Sequence, residues 1–222
     1  MGLESAYGIG SLKPGVCTST TRPAVPFDGQ TISETDTDTL QVYKGTAWAP
    51  VSGLQYITGG TVTSSTSANF DSVFSATYDN YRIIISDITS SGSEVSVLMR
   101  LRVGGVTNTA ANYNTQQARI YSTGTSANGG ITNNADGFYL WASATSPANS
   151  SGACIIDITQ PFLAKPTTTL STAHVWDNAI SAYMWNSCGG SHTVSSSFDG
   201  FTIYQTTTTT AYKYKIYGYA NS

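Results

Sequence analysis

YRIIISDI at residues 81–88 and EVSVLMRLRV at residues 94–103 decide how this chain folds. The first is a short apolar run, rich in β-branched isoleucine and too brief for a helix of several turns, so it reads as a buried strand. The second alternates. Val95, Val97, Met99, Leu101 and Val103 fall on one side, and Ser96, Leu98, Arg100 and Arg102 on the other. Successive side chains of a strand point to opposite faces, so a period of two lays one side on a core. Ser90-Ser91-Gly92-Ser93 separates the two runs, and Gly104-Gly105 ends the second.

The same grammar extends outward in both directions. Residues 53–58, 112–122, 137–145, 152–160, 170–176, 181–187, 200–205 and 211–219 read as strands, with 61–67 a loop or an edge strand. The glycine- and asparagine-rich residues 123–134 read as a long loop, and the threonine run 206–210 as a hairpin loop. No segment sustains a period of 3.6. Eight to ten strands with Gly/Ser/Asn turns predict an all-β chain whose C-terminal part, residues 56–222, is a jelly-roll-like antiparallel β-sandwich.

Ahead of it lie an extended arm, residues 1–21, and a short β meander, residues 22–55, RPAVPFDGQTISETDTDTLQVYKGTAWAPV and its exit. Pro23 and Pro26 keep the entry extended, and Asp28-Gly29, Asp36-Thr37-Asp38 and Lys44-Gly45-Thr46 mark turns. This part cannot fold unaided. Ordering its backbone costs roughly 1–2 kcal/mol per residue. Its dozen or so larger apolar side chains return roughly 1.5–3 kcal/mol each if fully buried. It must pack on the rest of the chain, on sister copies or on a larger assembly.

The pattern Arg22-Pro23, Phe27-Asp28-Gly29-Gln30, Glu34-Thr35-Asp36-Thr37-Asp38, Val42-Tyr43, Gly45, Trp48 resembles a segment common in bacteriophage tail-fibre and other virion appendage proteins. FSATYDNYRIIISDI followed by VLMRLRVGG resembles a domain found downstream of it in such proteins. The resemblance implies a virion surface protein, often a homotrimer, attached to other virion proteins through its N-terminal arm. It makes Arg22, Pro23, Phe27, Asp28, Gly29, Tyr43 and Trp48 the expected anchor residues. Tail-appendage attachment to the host surface is the leading expectation. A capsid decoration or head-fibre protein stabilising the shell is the alternative, and a carbohydrate-binding module the second.

Composition narrows the partners. Charged residues make up only 10% of the 222, net charge is −3, and the ten basic residues form no patch, which argues against nucleic-acid binding. No apolar run approaches membrane-spanning length, and MGLESAYGIG lacks the basic and apolar regions of a signal peptide, so the expectation is synthesis in the host cytoplasm and a place on the virion surface. Cys17, Cys154 and Cys188 are odd in number and widely spaced, which is no disulfide framework.

Catalytic chemistry finds little footing. There is no G-x-S-x-G elbow, and the scattered aspartates select no pair, so no enzyme activity and no cofactor are expected. Cys188 and His192 have the residue types of zinc ligands but no second pair nearby, so no metal site is expected. Glu34, Asp36 and Asp38 could line one edge for calcium, and fit a solvated turn better. Fourteen tyrosines and four tryptophans on a Ser/Gly/Asn-rich background suit adaptable recognition. A host surface glycan is the natural ligand, with Tyr139, Trp141, Trp176, Tyr183 and Trp185 the candidate contacts.

Overall fold

The computed structural model describes residues 14–51, 53–91, 96–124, 128–142, 152–177, 181–205 and 209–220. It is all β, with no helix among the described residues. The chain divides into two compact units, residues 1–53 and 54–222.

The first unit is a four-stranded sheet of β1 (Gly15–Cys17), β2 (Thr31–Glu34), β3 (Thr39–Tyr43) and β4 (Trp48–Pro50), in that spatial order. β2, β3 and β4 form the expected antiparallel meander, with Glu34 opposite Thr39 and Tyr43 opposite Trp48. β1 runs parallel to β2, Val16 opposite Ser33, so residues 15–17 of the expected arm belong to the sheet. Residues 1–13 of the arm lie outside the described residues.

The second unit holds β5 (Leu54–Ser65), β6 (Ser67–Phe70), β7 (Asn80–Ser90), β8 (Ser96–Val103), β9 (Val106–Thr107), β10 (Tyr113–Tyr121), β11 (Asn128–Ala135), β12 (Phe138–Ala142), β13 (Gly152–Thr159), β14 (Lys165–Asp177), β15 (Ala182–Ser196), β16 (Gly200–Gln205) and β17 (Thr210–Tyr219). Eight of them make one antiparallel sheet, ordered β11-β10-β15-β14-β13-β7-β17-β5. β12, β8, β16 and β6, with β9 on β8, make the other. The pairings nest. β5 pairs with β17 and β6 with β16, while β7 pairs with β13 and β8 with β12. Bringing the start of a unit back against its end in this way is the jelly-roll-like feature of the sandwich. Residues 81–88 and 96–103, in β7 and β8, therefore lie in different sheets.

Alternation along the strands makes the core. From the large sheet come Tyr81, Ile83, Ile85, Cys154, Ile156, Ile158, Val175, Met184, Tyr212 and Ile216. From the small sheet come Phe70, Val97, Met99, Leu101, Phe138, Leu140, Trp141, Phe201 and Ile203. Inter-sheet polar links accompany them. β12 carries an irregularity between Tyr139 and Trp141, and the Leu140 carbonyl accepts from the Ser171 hydroxyl at 3.1 Å and the Cys188 thiol at 3.6 Å. The buried Tyr113 hydroxyl accepts from the Leu101 N–H at 3.1 Å and donates to the Asn108 carbonyl at 3.0 Å, fixing the loop after β9. Burial pushes that phenol up to about 12.

Three expectations need correcting. Residues 123–134 are not one long loop, because Asn128–Ala135 is an edge strand paired with β10. Of the two readings of residues 61–67, the edge strand holds for 61–65, which continue β5 at the edge of the large sheet and pair with β17 out to Ser65. Val103 is exposed, because it closes the β8–β9 hairpin opposite Val106 across Gly104-Gly105, which carry the positive φ values of 56° and 77° that such a turn requires. The other side of β8 is not free either. Leu98 and Arg102 are buried, Arg102 donating to Asp71 at 2.7 Å, to Thr202 at 3.2 Å, and to Thr107 and the Gly105 carbonyl.

Candidate functional site

In the first unit the polar residues of the Arg22 to Trp48 pattern hold one another. Arg22 Nε–H donates to Glu34 Oε1, and Glu34 Oε2 accepts from Thr37 Oγ1 at 2.9 Å and from Gln41 Nε2 at 3.5 Å. Glu34 is fully buried, and the Arg22 hydrogen bond holds its carboxyl below the usual carboxylate range. Asp36 accepts from the Ser19 N–H at 2.9 Å and the Ser19 hydroxyl at 2.6 Å. Glu34 is thus the buried centre of a side-chain lock rather than part of a solvated turn, and Asp36 ties the chain after β1 to the β2–β3 turn. No cluster of three metal-ligating side chains occurs among the described residues.

The other anchor candidates are similarly tied. Gly29 N–H donates to the Tyr43 carbonyl at 2.8 Å, Tyr43 N–H to the Gln30 carbonyl at 2.8 Å, and Tyr43 meets Trp48 edge to face at 5.4 Å. Asp28 sits in the same turn, within reach of Gly45. Among its described residues the unit has little apolar interior. Ile32 is its one fully buried large apolar side chain among the described residues, while Val16 is 73%, Val25 91% and Phe27 68% exposed, with Leu40 and Val51 also outside.

In the second unit the aromatic candidates separate. Trp141 is completely buried in the core and offers no surface to a ligand. Tyr139 lies on the small sheet, its hydroxyl against that of Ser96. Trp176, Tyr183 and Trp185 come together on the outer face of the large sheet. Tyr183 stacks on His174 at 4.8 Å with 8° between the planes and meets Trp176 edge to face at 5.2 Å. Trp185 is directly opposite His174 on β14 and Ile120 on β10.

That outer face is unusual in its chemistry. Alternation turns Ala153, Ile155, Asp157 and Thr159 outward on β13; Thr168, Leu170, Thr172, His174 and Trp176 on β14; Tyr183, Trp185, Ser187, Gly189 and Ser191 on β15; and Asn114, Gln116, Ala118 and Ile120 on β10. Asp157 is the single carboxylate in this set and no lysine or arginine joins it. Arg82 of β7 donates to it at 2.7 and 2.6 Å, and Tyr219 at 2.8 Å, which holds the carboxyl below its ordinary range. Leu170 is 69% exposed, and Ile155, Ile120, Trp185 and Ile131 of β11 are exposed on the same face.

Towards the β5 edge of the same sheet the character changes. A groove of about 520 Å³ is bounded by Tyr56, Gly59, Ile84, Asp87, Lys213, Lys215 and Tyr217. Nothing in the sequence had singled out these residues. They are assembled by the pairing of the first strand of the unit with the last, which no local pattern encodes.

His192 and Cys188 are four residues apart on β15, both facing inward and separated by Gly190. In a strand that is roughly 13 Å. The His192 ring packs against Tyr113 and Phe198, and burial lowers its pKa. Both are core residues.

No family model matches this chain, and no curated protein shows significant similarity to it.

Proposed function

We propose that the chain is a bacteriophage virion protein of the tail-appendage class, carried on the particle by its first unit and presenting its second unit to the host surface. The observation that carries this reading is the imbalance inside the first unit. Its polar locks give it a definite shape, yet among its described residues it buries one large apolar side chain and exposes five. A fixed shape with its apolar groups outside is what a docking module needs. The pattern that resembles appendage proteins, from Arg22 to Trp48, coincides with this unit.

Self-association, expected as a homotrimer, is supported by the outer face of β13, β14, β15 and β10. Interface cores are depleted of charge and enriched in aromatic side chains. A face with one neutralised carboxylate, a His/Tyr/Trp cluster and exposed Leu170 fits that description.

Gold-labelled antibody against residues 54–222, applied to intact particles and viewed by electron microscopy, tests the reading. Label at the tail is the expected result. Label spread over the head replaces it with a capsid decoration protein, and absence of label on any particle overturns the virion assignment.

A further inference from the structure

We propose that the groove between β5, β17 and β7 is a binding site for an acidic saccharide, with Lys215 as the carboxylate-binding residue. The proposal rests on the attachment reading only for its biological purpose. The chemistry stands on the groove itself.

Three features build the site. The first is its floor. β17 lies between β5 and β7, and Lys215 is opposite Gly59 on one side and Ile84 on the other. A Cβ at Gly59 would stand 2.8 Å from the Tyr214 carbonyl and 3.1 Å from the Tyr56 hydroxyl, so the trough and the lie of Tyr56 across it depend on glycine there.

The second is its aromatic wall. Tyr56 meets Tyr217 edge to face at 5.8 Å and still keeps 62% of its surface exposed. A ring held by a neighbour yet largely exposed suits the C–H face of a pyranose, since tyrosine offers an apolar body and a polar tip.

The third is its charge. Asp87 sits at φ 53°, where the register of β7 against β17 shifts between Ala211 and Lys213, and its carboxylate meets Lys213 Nζ at 2.8 Å. Bulges re-aim side chains in this way. The result is a donor and an acceptor side by side, on the far side of Lys215 along β17 from Tyr217 and Tyr56, the arrangement that vicinal hydroxyls match. Lys215 has no ion pair among the described residues, and its cross-strand neighbours Gly59 and Ile84 are uncharged. The facing ionisable groups are then Asp87, Lys213 and Lys215, a local surplus of one positive charge on a chain whose net charge is −3. A free ammonium beside a ring platform selects a sugar that carries a carboxylate, because charge-assisted hydrogen bonds are roughly twice as strong as neutral ones. The groove's volume, about 520 Å³, lies within the roughly 300–1,000 Å³ of small-ligand sites.

The test is titration of the whole protein with three short oligosaccharides, bearing glucuronate, galacturonate or N-acetylneuraminate, and with their carboxyl-reduced forms, followed by NMR shifts and calorimetry. The expected result is saturable binding of at least one acidic sugar, with shifts at Tyr56, Lys215 and Tyr217 and at least tenfold weaker binding of its reduced form. Lys215→Gln, an exposed substitution that leaves the fold alone, is expected to remove the preference for the acid while keeping the weak neutral binding. Tyr56→Ala is expected to remove both. No binding of any acidic sugar at millimolar concentration overturns the proposal, as does equal binding of acid and reduced forms, or Lys215→Gln without effect. Sugar binding by a protein that gold fails to find on particles keeps the site and removes the attachment reading; tail label without sugar binding does the reverse.

Discussion

The two units of this chain are stabilised by opposite means. The sandwich closes two sheets on a continuous apolar core, from Phe70 and Leu101 on one side to Ile156 and Ile216 on the other. The first unit's sheet is tied by polar contacts between turns, Arg22 to Glu34, Ser19 to Asp36 and Gly29 to Tyr43, around Ile32, the one large apolar side chain fully buried among its described residues. Burial of apolar surface is the dominant favourable term in folding, whereas a hydrogen bond contributes a net of only about 1 kcal/mol. The first unit is therefore well shaped but weakly held. That combination is unsuited to standing alone and suited to docking.

The sharpest way to break this contrast is to damage each unit separately. Trp141→Ala leaves a large cavity in the sandwich and is expected to cost about 3–5 kcal/mol, read as a lower denaturant midpoint of the main unfolding transition. Glu34→Gln removes the charge that Arg22 and Thr37 address and is expected to cost about 1–3 kcal/mol. That loss should fall on the small unit alone, visible as an earlier change at Trp48 with the main transition unmoved. A single transition shifted equally by both substitutions would refute the separation.

Acid sharpens the same comparison. The Glu34 carboxyl is held below its ordinary 4.5 by the Arg22 hydrogen bond, so the stability it contributes is complete above that value and is lost as pH falls through the folded pKa. Asp157, held below 3.8 by Arg82, behaves alike but lower on the scale and in the unit with the large core. A pH series of thermal unfolding should show the small unit weakening first below about pH 4.5, with Glu34→Gln flattening that dependence.

The smallest expected effect on stability is at the charge-poor face. Leu170→Asp lies on an exposed position and should change unfolding by less than about 0.5 kcal/mol. It should nonetheless shift the protein to a smaller species in sedimentation, because it places a charge in the middle of the proposed self-association face. An unchanged sedimentation profile would remove that face from the account.

How far the sequence could be read follows from what is local. Period-two alternation located nearly all strands, and it placed Met99 and Leu101 inside. Glycine and asparagine misled at residues 128–135, where β11 is held by pairing with β10 rather than by its own propensity. The first unit's turns were legible because Asp28-Gly29 and Lys44-Gly45 are local signals. Glu34 was not, since its burial depends on Arg22, twelve positions earlier. Trp141 was misplaced for a related reason. Aromatic content does not reveal which face of a strand a ring occupies when a bulge intervenes at Leu140. The groove was invisible because it exists only where the first and last strands of the sandwich meet.

Hydrogen exchange of the free, full-length protein at neutral pH tests the central claim, that the first unit is shaped by polar locks and awaits a partner. The amides of β2 and β3 should exchange through openings of low free energy while those of β13, β14 and β15 exchange only with global unfolding. The same β2 and β3 amides should become protected when the protein is recovered on particles. Equal protection of both units in the free protein would contradict the account.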